Sequence, residues 1–156
     1  MSAKTQFLKK LQVRQSTPDT LLSKQQADIA YFRQKMALLH ERIDAWLTDT
    51  GLSTETLSIP VTDLLVEGGA FEIPGIALRY EGRVMKFLPI FLYGHGVTGC
   101  VEVMLHAGAK MAPQGRLWMR AGNARDWTFS PQSELSRSAA AFDEDGFFSL
   151  LAGILP

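Results

Sequence analysis

Leu22, Gln25, Ile29, Phe32, Met36, Leu39, Ile43 and Trp46 follow one another at alternating steps of three and four residues. That spacing draws one narrow apolar seam along a helix, the pattern by which two helices pack lengthwise. Lys24, Gln26, Arg33, Lys35, Glu41 and Asp44 fall off the seam, as a solvated face requires. The helix is predicted to end at Gly51, since glycine suits the left-handed position after a C-cap. Upstream, residues 4–14 fit a short amphipathic helix with Phe7, Leu8 and Leu11 inward. Thr17 as N-cap, Pro18 at the first helical position and Asp19 at the positive end of the dipole then restart the helix.

The periodicity changes to two further on. Ile76, Leu78 and Tyr80 alternate with Ala77, Arg79 and Glu81, and Val101, Val103 and Leu105 are set against Cys100, Glu102, Met104 and His106. Strands are predicted there, over Val84 to Tyr93, and around Leu117 to Ala121 and Trp127 to Phe129. Glu81-Gly82, Ala107-Gly108 and Gly122-Asn123 supply the turns. Five strands at this spacing predict an antiparallel meander over residues 70–130. Leu52 to Gly69 is open, with Val61 to Val66 fitting either a short helix or an edge strand. Ser130 to Ala141 reads as a linker. After it, Asp143 is a good N-cap, Phe142 and Phe147 have the spacing of a hydrophobic staple, and Phe147, Leu150, Leu151 and Ile154 make one apolar stripe.

The expected architecture is therefore one α+β domain over residues 1–156. It has a helical part over 1–51, a sheet of about five strands, and a short helix over 142–155 packed on that sheet. Length and an apolar share of 46% support one sizeable core. Formal charge sums to zero, so nothing global recruits nucleic acid or an anionic membrane. Lys4, Lys9, Lys10 and Arg14 make the first residues basic, which a solvated helix face explains. Cys100 is the only cysteine, which excludes an intrachain disulfide and fits a reducing compartment. The first residues lack the apolar core of a signal peptide. The longest apolar stretch, Phe87 to Tyr93, is too short for a membrane helix. A cytoplasmic protein is expected.

Gly94-His95-Gly96-Val97-Thr98-Gly99 matches the dinucleotide-binding pattern, which requires a helix after the third glycine and an acidic residue about 20 positions on. The alternation from Cys100 to Leu105 points to a strand instead. No Asp or Glu lies between Glu102 and Asp126. A glycine-rich hairpin is expected, and no cofactor. An enzyme using this loop with His95 and Cys100 is the third reading of function. Cys100 and His106 share a strand face about 20 Å apart at about 3.4 Å per residue, too far for a nucleophile–base pair. His40 and Asp44 share a helix face four apart, and Asp143, Glu144 and Asp145 cluster at a helix start; neither makes a metal site.

Trp118, Trp127 and Phe129 are interleaved with Arg116, Arg120 and Arg125, residue types that supply most interface hot spots. Alternation places Arg116, Trp118 and Arg120 on one face, with Leu117 and Met119 on the other. No motif ties the chain to a family. The expected function is non-enzymatic protein binding of an adaptor, immunity or chaperone kind. The partner surface falls on Arg116, Trp118, Arg120, Arg125 and Trp127. The seam of Leu22, Ile29, Phe32, Met36, Leu39, Ile43 and Trp46 serves either a homodimer or packing on the chain's own sheet. The alternative is a small-ligand module with an apolar pocket between sheet and helix.

Overall fold

The alternating stretches become seven antiparallel strands in the computed structural model, which describes residues 2–62, 70–94, 97–120, 127–132 and 140–155, and of 9–23, Val97 and Arg120 the backbone alone. The strands are β1 (Thr54–Thr62), β2 (Ala70–Tyr80), β3 (Arg83–Gly94), β4 (Val97–Ala107), β5 (Lys110–Arg120), β6 (Thr128–Pro131) and β7 (Ala140–Ala141). Their order in space is their order in the chain. The meander is thus as expected in kind, but with seven strands rather than five. β1 occupies the stretch that sequence left open, and β6 and β7 take up both ends of the expected linker. Residues 63–66, 133–139 and the turn at Gly122-Asn123 lie outside the described residues. A helix stands at each end of the sheet: α1 (Ala3–Trp46) and α2 (Glu144–Leu151), with a 3-10 turn at Ala152–Ile154.

Residues 24–46 are the part of the expected long helix whose packing is described. Phe32, Met36, Leu39 and Ile43 are fully buried there, and Ile29 and Trp46 pack against the same core. Their neighbours are sheet residues such as Ile76, Phe87, Val101, Val103 and Leu117. Over Phe32, Met36, Leu39 and Ile43 the seam is covered by the chain's own sheet, since a helix lying on a sheet needs the same apolar stripe as a helix lying on a helix. Leu22 and the Thr17–Asp19 restart belong to the residues whose side chains are not described. Phe7 and Leu8 do not turn inward; they are 63% and 47% exposed. Among the described side chains of α1, the first against the core is Ile29. The helix also stops at Trp46, short of Gly51. Leu47 tucks into the core at 3% exposure, and Asp49 at φ 70° turns the chain out of the helix.

At the other end, the Asp143 carboxylate accepts from Gly146 N at 2.8 Å. Phe142 and Phe147 meet edge to face at 6.3 Å, as the staple requires. Phe147 also lies 5.3 Å from Trp46, so the two helices meet over one face of the sheet.

One break divides that sheet. β2 and β3 pair from Tyr80↔Arg83 only as far as Ile76↔Phe87. Continued in register, the next rungs would bring Pro74 opposite Pro89, and neither ring has an N–H to give. Gly75 also presses so close to Phe87 O that a Cβ there would stand 2.9 Å away. Beyond this point β2 pairs with β1 alone and β3 with β4 alone. A bulge between Pro89 and Phe91 then shifts the β3–β4 register by one residue.

Phe32→Ala removes a side chain with no solvent exposure and is expected to cost about 3–5 kcal/mol. Because the contacts are made within one chain, urea unfolding of this variant and of the wild type should give midpoints that do not move with protein concentration. A midpoint that rises with concentration would show that α1 packs between copies.

Candidate interaction surface

Pleating sends alternate residues to opposite faces. Met85, Phe87, Val101, Val103, Leu117 and Met119 point to the helices and are buried. The residues between them point the other way, where no helix lies among the described residues. Register sorts this outer face into rows across β3, β4 and β5. Phe91, Cys100 and Trp118 form one; Leu88, Glu102 and Arg116 the next; Lys86 and Met104 the third; Val84, His106 and Met111 the last. Phe91 reaches its row through the bulge at Ile90, which turns it to the side of Cys100.

The first two rows form one cluster. The Phe91 and Trp118 rings lie 6.2 Å apart, and the Arg116 guanidinium carbon sits 5.9 Å from the Trp118 ring centre. Arg116 Nη2 is 3.7 Å from Glu102 Oε2, with the two side chains 32% and 25% exposed. Arg116 Nε is buried without a hydrogen-bond partner among the described residues, and so is His106 Nε2. Cys100 is fully buried beneath the aromatic pair. Burial pushes its thiol up to about 12, outweighing the Arg116 cation, which pulls it down. A thiol held protonated and covered is not a nucleophile at neutral pH. Burial first, and the Lys86 cation second, lower the pKa of His106 below the usual imidazole range.

Of the residues sequence assigned to the surface, Arg116 and Trp118 are on this face. Trp127 is not: it is 3% exposed and packs on Phe32 at 6.1 Å. Its position on the helix side of the sheet takes it out of the expected surface. The Arg120 side chain and Arg125 lie outside the described residues, as do His95 and Gly96. Sequence reasoning missed Phe91, Lys86 and Glu102 as members. Only the strand register and the bulge bring them to Trp118 and Arg116. The glycine pattern turns out to join two strands, with Gly94 opposite Val97 and β4 where a dinucleotide site would need a helix.

His40 and Asp44, considered as a ligand pair, instead fasten α1 to β1. Thr54 Oγ1 donates to Asp44 Oδ1 at 2.5 Å and lies 2.5 Å from His40 Nε2. With its own proton given to Asp44, Thr54 accepts from Nε2–H, which leaves Nδ1 to face Thr56 Oγ1 at 3.4 Å. A ring that donates to the hydroxyl cannot also act as its base. No group of three metal-ligating side chains occurs among the described residues. The space beside this cluster, about 210 Å³, is lined by Met36, His40, Asp44, Thr56 and Pro74 at the edge of the helix–sheet contact. The middle of that contact is filled by Phe32, Met36 and Leu39.

Set against protein-family models, curated proteins and solved structures, the chain matches none. No helix among the described residues is long and apolar enough to cross a membrane.

Two measurements check this geometry. Cys100 should resist a thiol reagent such as DTNB in the native protein and react at the rate of a free thiol in denaturant; rapid native labelling would place the thiol at the surface. For His106 the folded value lies below the unfolded one, so the unfolded chain binds the proton first. Its share of the stability is complete above the ordinary imidazole range and drains as pH falls through the lowered folded value. Unfolding free energy should therefore fall as pH drops below the ordinary imidazole range, and His106→Gln should flatten that slope.

Proposed function

We propose that this chain is a non-enzymatic protein-binding protein of the cytoplasm, whose contact surface is the outer face of β3–β5 centred on Trp118, Arg116 and Phe91. The observation that carries the reading is the Phe91–Trp118–Arg116 cluster, half-buried on the face that both helices leave. Tryptophan and arginine set side by side at partial exposure match the composition of interface hot spots. The Trp118 ring does not reach the helix-side core, where Leu117 and Met119 fill the same strand's inner positions. The covered, protonated Cys100 gives the face no nucleophile and suits a reducing compartment. Self-association through the α1 seam is not part of this proposal.

The test is affinity purification from the native host, run in parallel with wild type and Trp118→Ala. The substitution should weaken the captured complex by roughly 2 kcal/mol or more and leave the melting temperature nearly unchanged. A large fall in melting temperature with capture undiminished would make Trp118 a packing residue and overturn the reading.

A further inference from the structure

The outer face has more donors than acceptors. Lys86 makes no ion pair or hydrogen bond among the described residues. Arg116 has Glu102 as its counter-charge among the described residues, but at 3.7 Å the contact is an ion pair too long for a hydrogen bond, and its Nε has no hydrogen-bond partner among them. Native proteins leave few buried polar atoms such as this Nε unpaired. Two cations face one carboxylate, so the groups missing from this face are acceptors carrying negative charge.

Their spacing is set by the sheet. The aromatic row, the Arg116 row and the Lys86 row follow one another along β4 at Cys100, Glu102 and Met104. Each step is two residues, about 7 Å. That is also the distance between alternate side chains of an extended chain laid along β4. Resting on the proposed function above, we infer that this face accepts an acidic, extended segment of a partner protein. Its pattern is an apolar side chain over Phe91 and Trp118, a carboxylate two residues on at Arg116, and a second carboxylate two further on at Lys86. The guanidinium has donors enough to hold the partner's carboxylate beside Glu102. A nucleic-acid strand fits less well, because its continuous phosphates would run over Glu102 and the neutral chain supplies no field to draw them in.

The experiment uses the full chain and the Trp118 indole N–H signal, assigned by its loss in Trp118→Ala. The probes are the peptide Thr-Phe-Thr-Glu-Thr-Glu-Thr, the same residues in reverse order, the lysine analogue of each, and a short oligothymidine. One of the glutamate peptides should shift the indole signal and bind about tenfold or more tighter than its lysine analogue. Lys86→Glu should remove that preference, and the milder Lys86→Gln should reduce it with the fold intact by circular dichroism. If the lysine peptides bind as well as the glutamate ones, the acidic pattern is overturned while protein binding by this face stands. If only oligothymidine shifts the signal, both readings fall in favour of nucleic acid. If no probe moves it, the acidic-segment inference is overturned, and the host purification judges protein binding separately.

Discussion

Phe32, Met36, Leu39 and Ile43 lie buried between α1 and the sheet, and the position of the other elements follows from that contact. A helix with one apolar stripe can satisfy it once. Here the stripe is covered by β2, β3, β4 and β5 residues, which fixes which face of the sheet is inner. Trp46 extends the same stripe to Phe147 and Phe142, so α2 is held at the end of α1 on the same side. Each fully buried side chain of this size contributes about 1.5–3 kcal/mol, and a typical domain is stable by only about 5–15 kcal/mol. The seam is therefore a large part of what keeps the fold together. With both helices on one side, the outer rows of β3–β5 are left without a helical cover.

The break between β2 and β3 shapes that outer face. A seven-stranded meander that paired along its full length would be a smoothly twisted sheet with Phe91 and Cys100 on opposite sides. Two prolines due to meet across the ladder end the pairing early, and the bulge after Pro89 resets the alternation of β3. Phe91 is thereby turned outward to meet Trp118, while Leu92 turns to the core. Bulges re-aim side chains in just this way. The aromatic end of the surface thus depends on two residues that make no contact with a partner in the proposed function.

Much of this was legible from spacing. The 3–4 steps of the α1 stripe from Ile29 to Trp46, the alternation in β2, β4 and β5 as far as Met119, the Asp143 cap and the Phe142–Phe147 staple stand as read, because each depends on neighbours within a few residues. What covers the stripe was not legible: a heptad looks the same whether a helix or a sheet lies on it. β1 fell in a stretch left open: Leu57, Ile59 and Val61 do alternate with Ser58, Pro60 and Thr62, but Pro60 counts against a strand except at a sheet edge, which is where β1 lies. Trp127 was misplaced because a tryptophan beside arginines in sequence gives no sign of which face its strand turns inward. Phe91, Lys86 and Glu102 depend on cross-strand register, which a single sequence does not state.

The partial exposure of the outer cluster is itself informative. A fully exposed Arg116–Glu102 pair would contribute almost nothing, since water screens it. A fully buried one would be opposed by the removal of both charges from water. At about a quarter to a third exposure the pair keeps part of its hydration, yet the Trp118 ring keeps water off one side of the guanidinium. Cys100, small and uncharged, fills the space below the rings without competing for the polar groups. The isolated chain carries such a face because Arg116, Glu102 and Lys86 each keep part of their side chain in solvent, even though the Arg116 Nε itself is buried. Covering it with an apolar group alone would strand Lys86 and the solvated part of the Arg116 guanidinium as well, whereas a partner that brings acceptors avoids that penalty. On the proposed reading, selectivity at this face comes from which partners can satisfy its donors, and the aromatic pair supplies contact area that any of them would use.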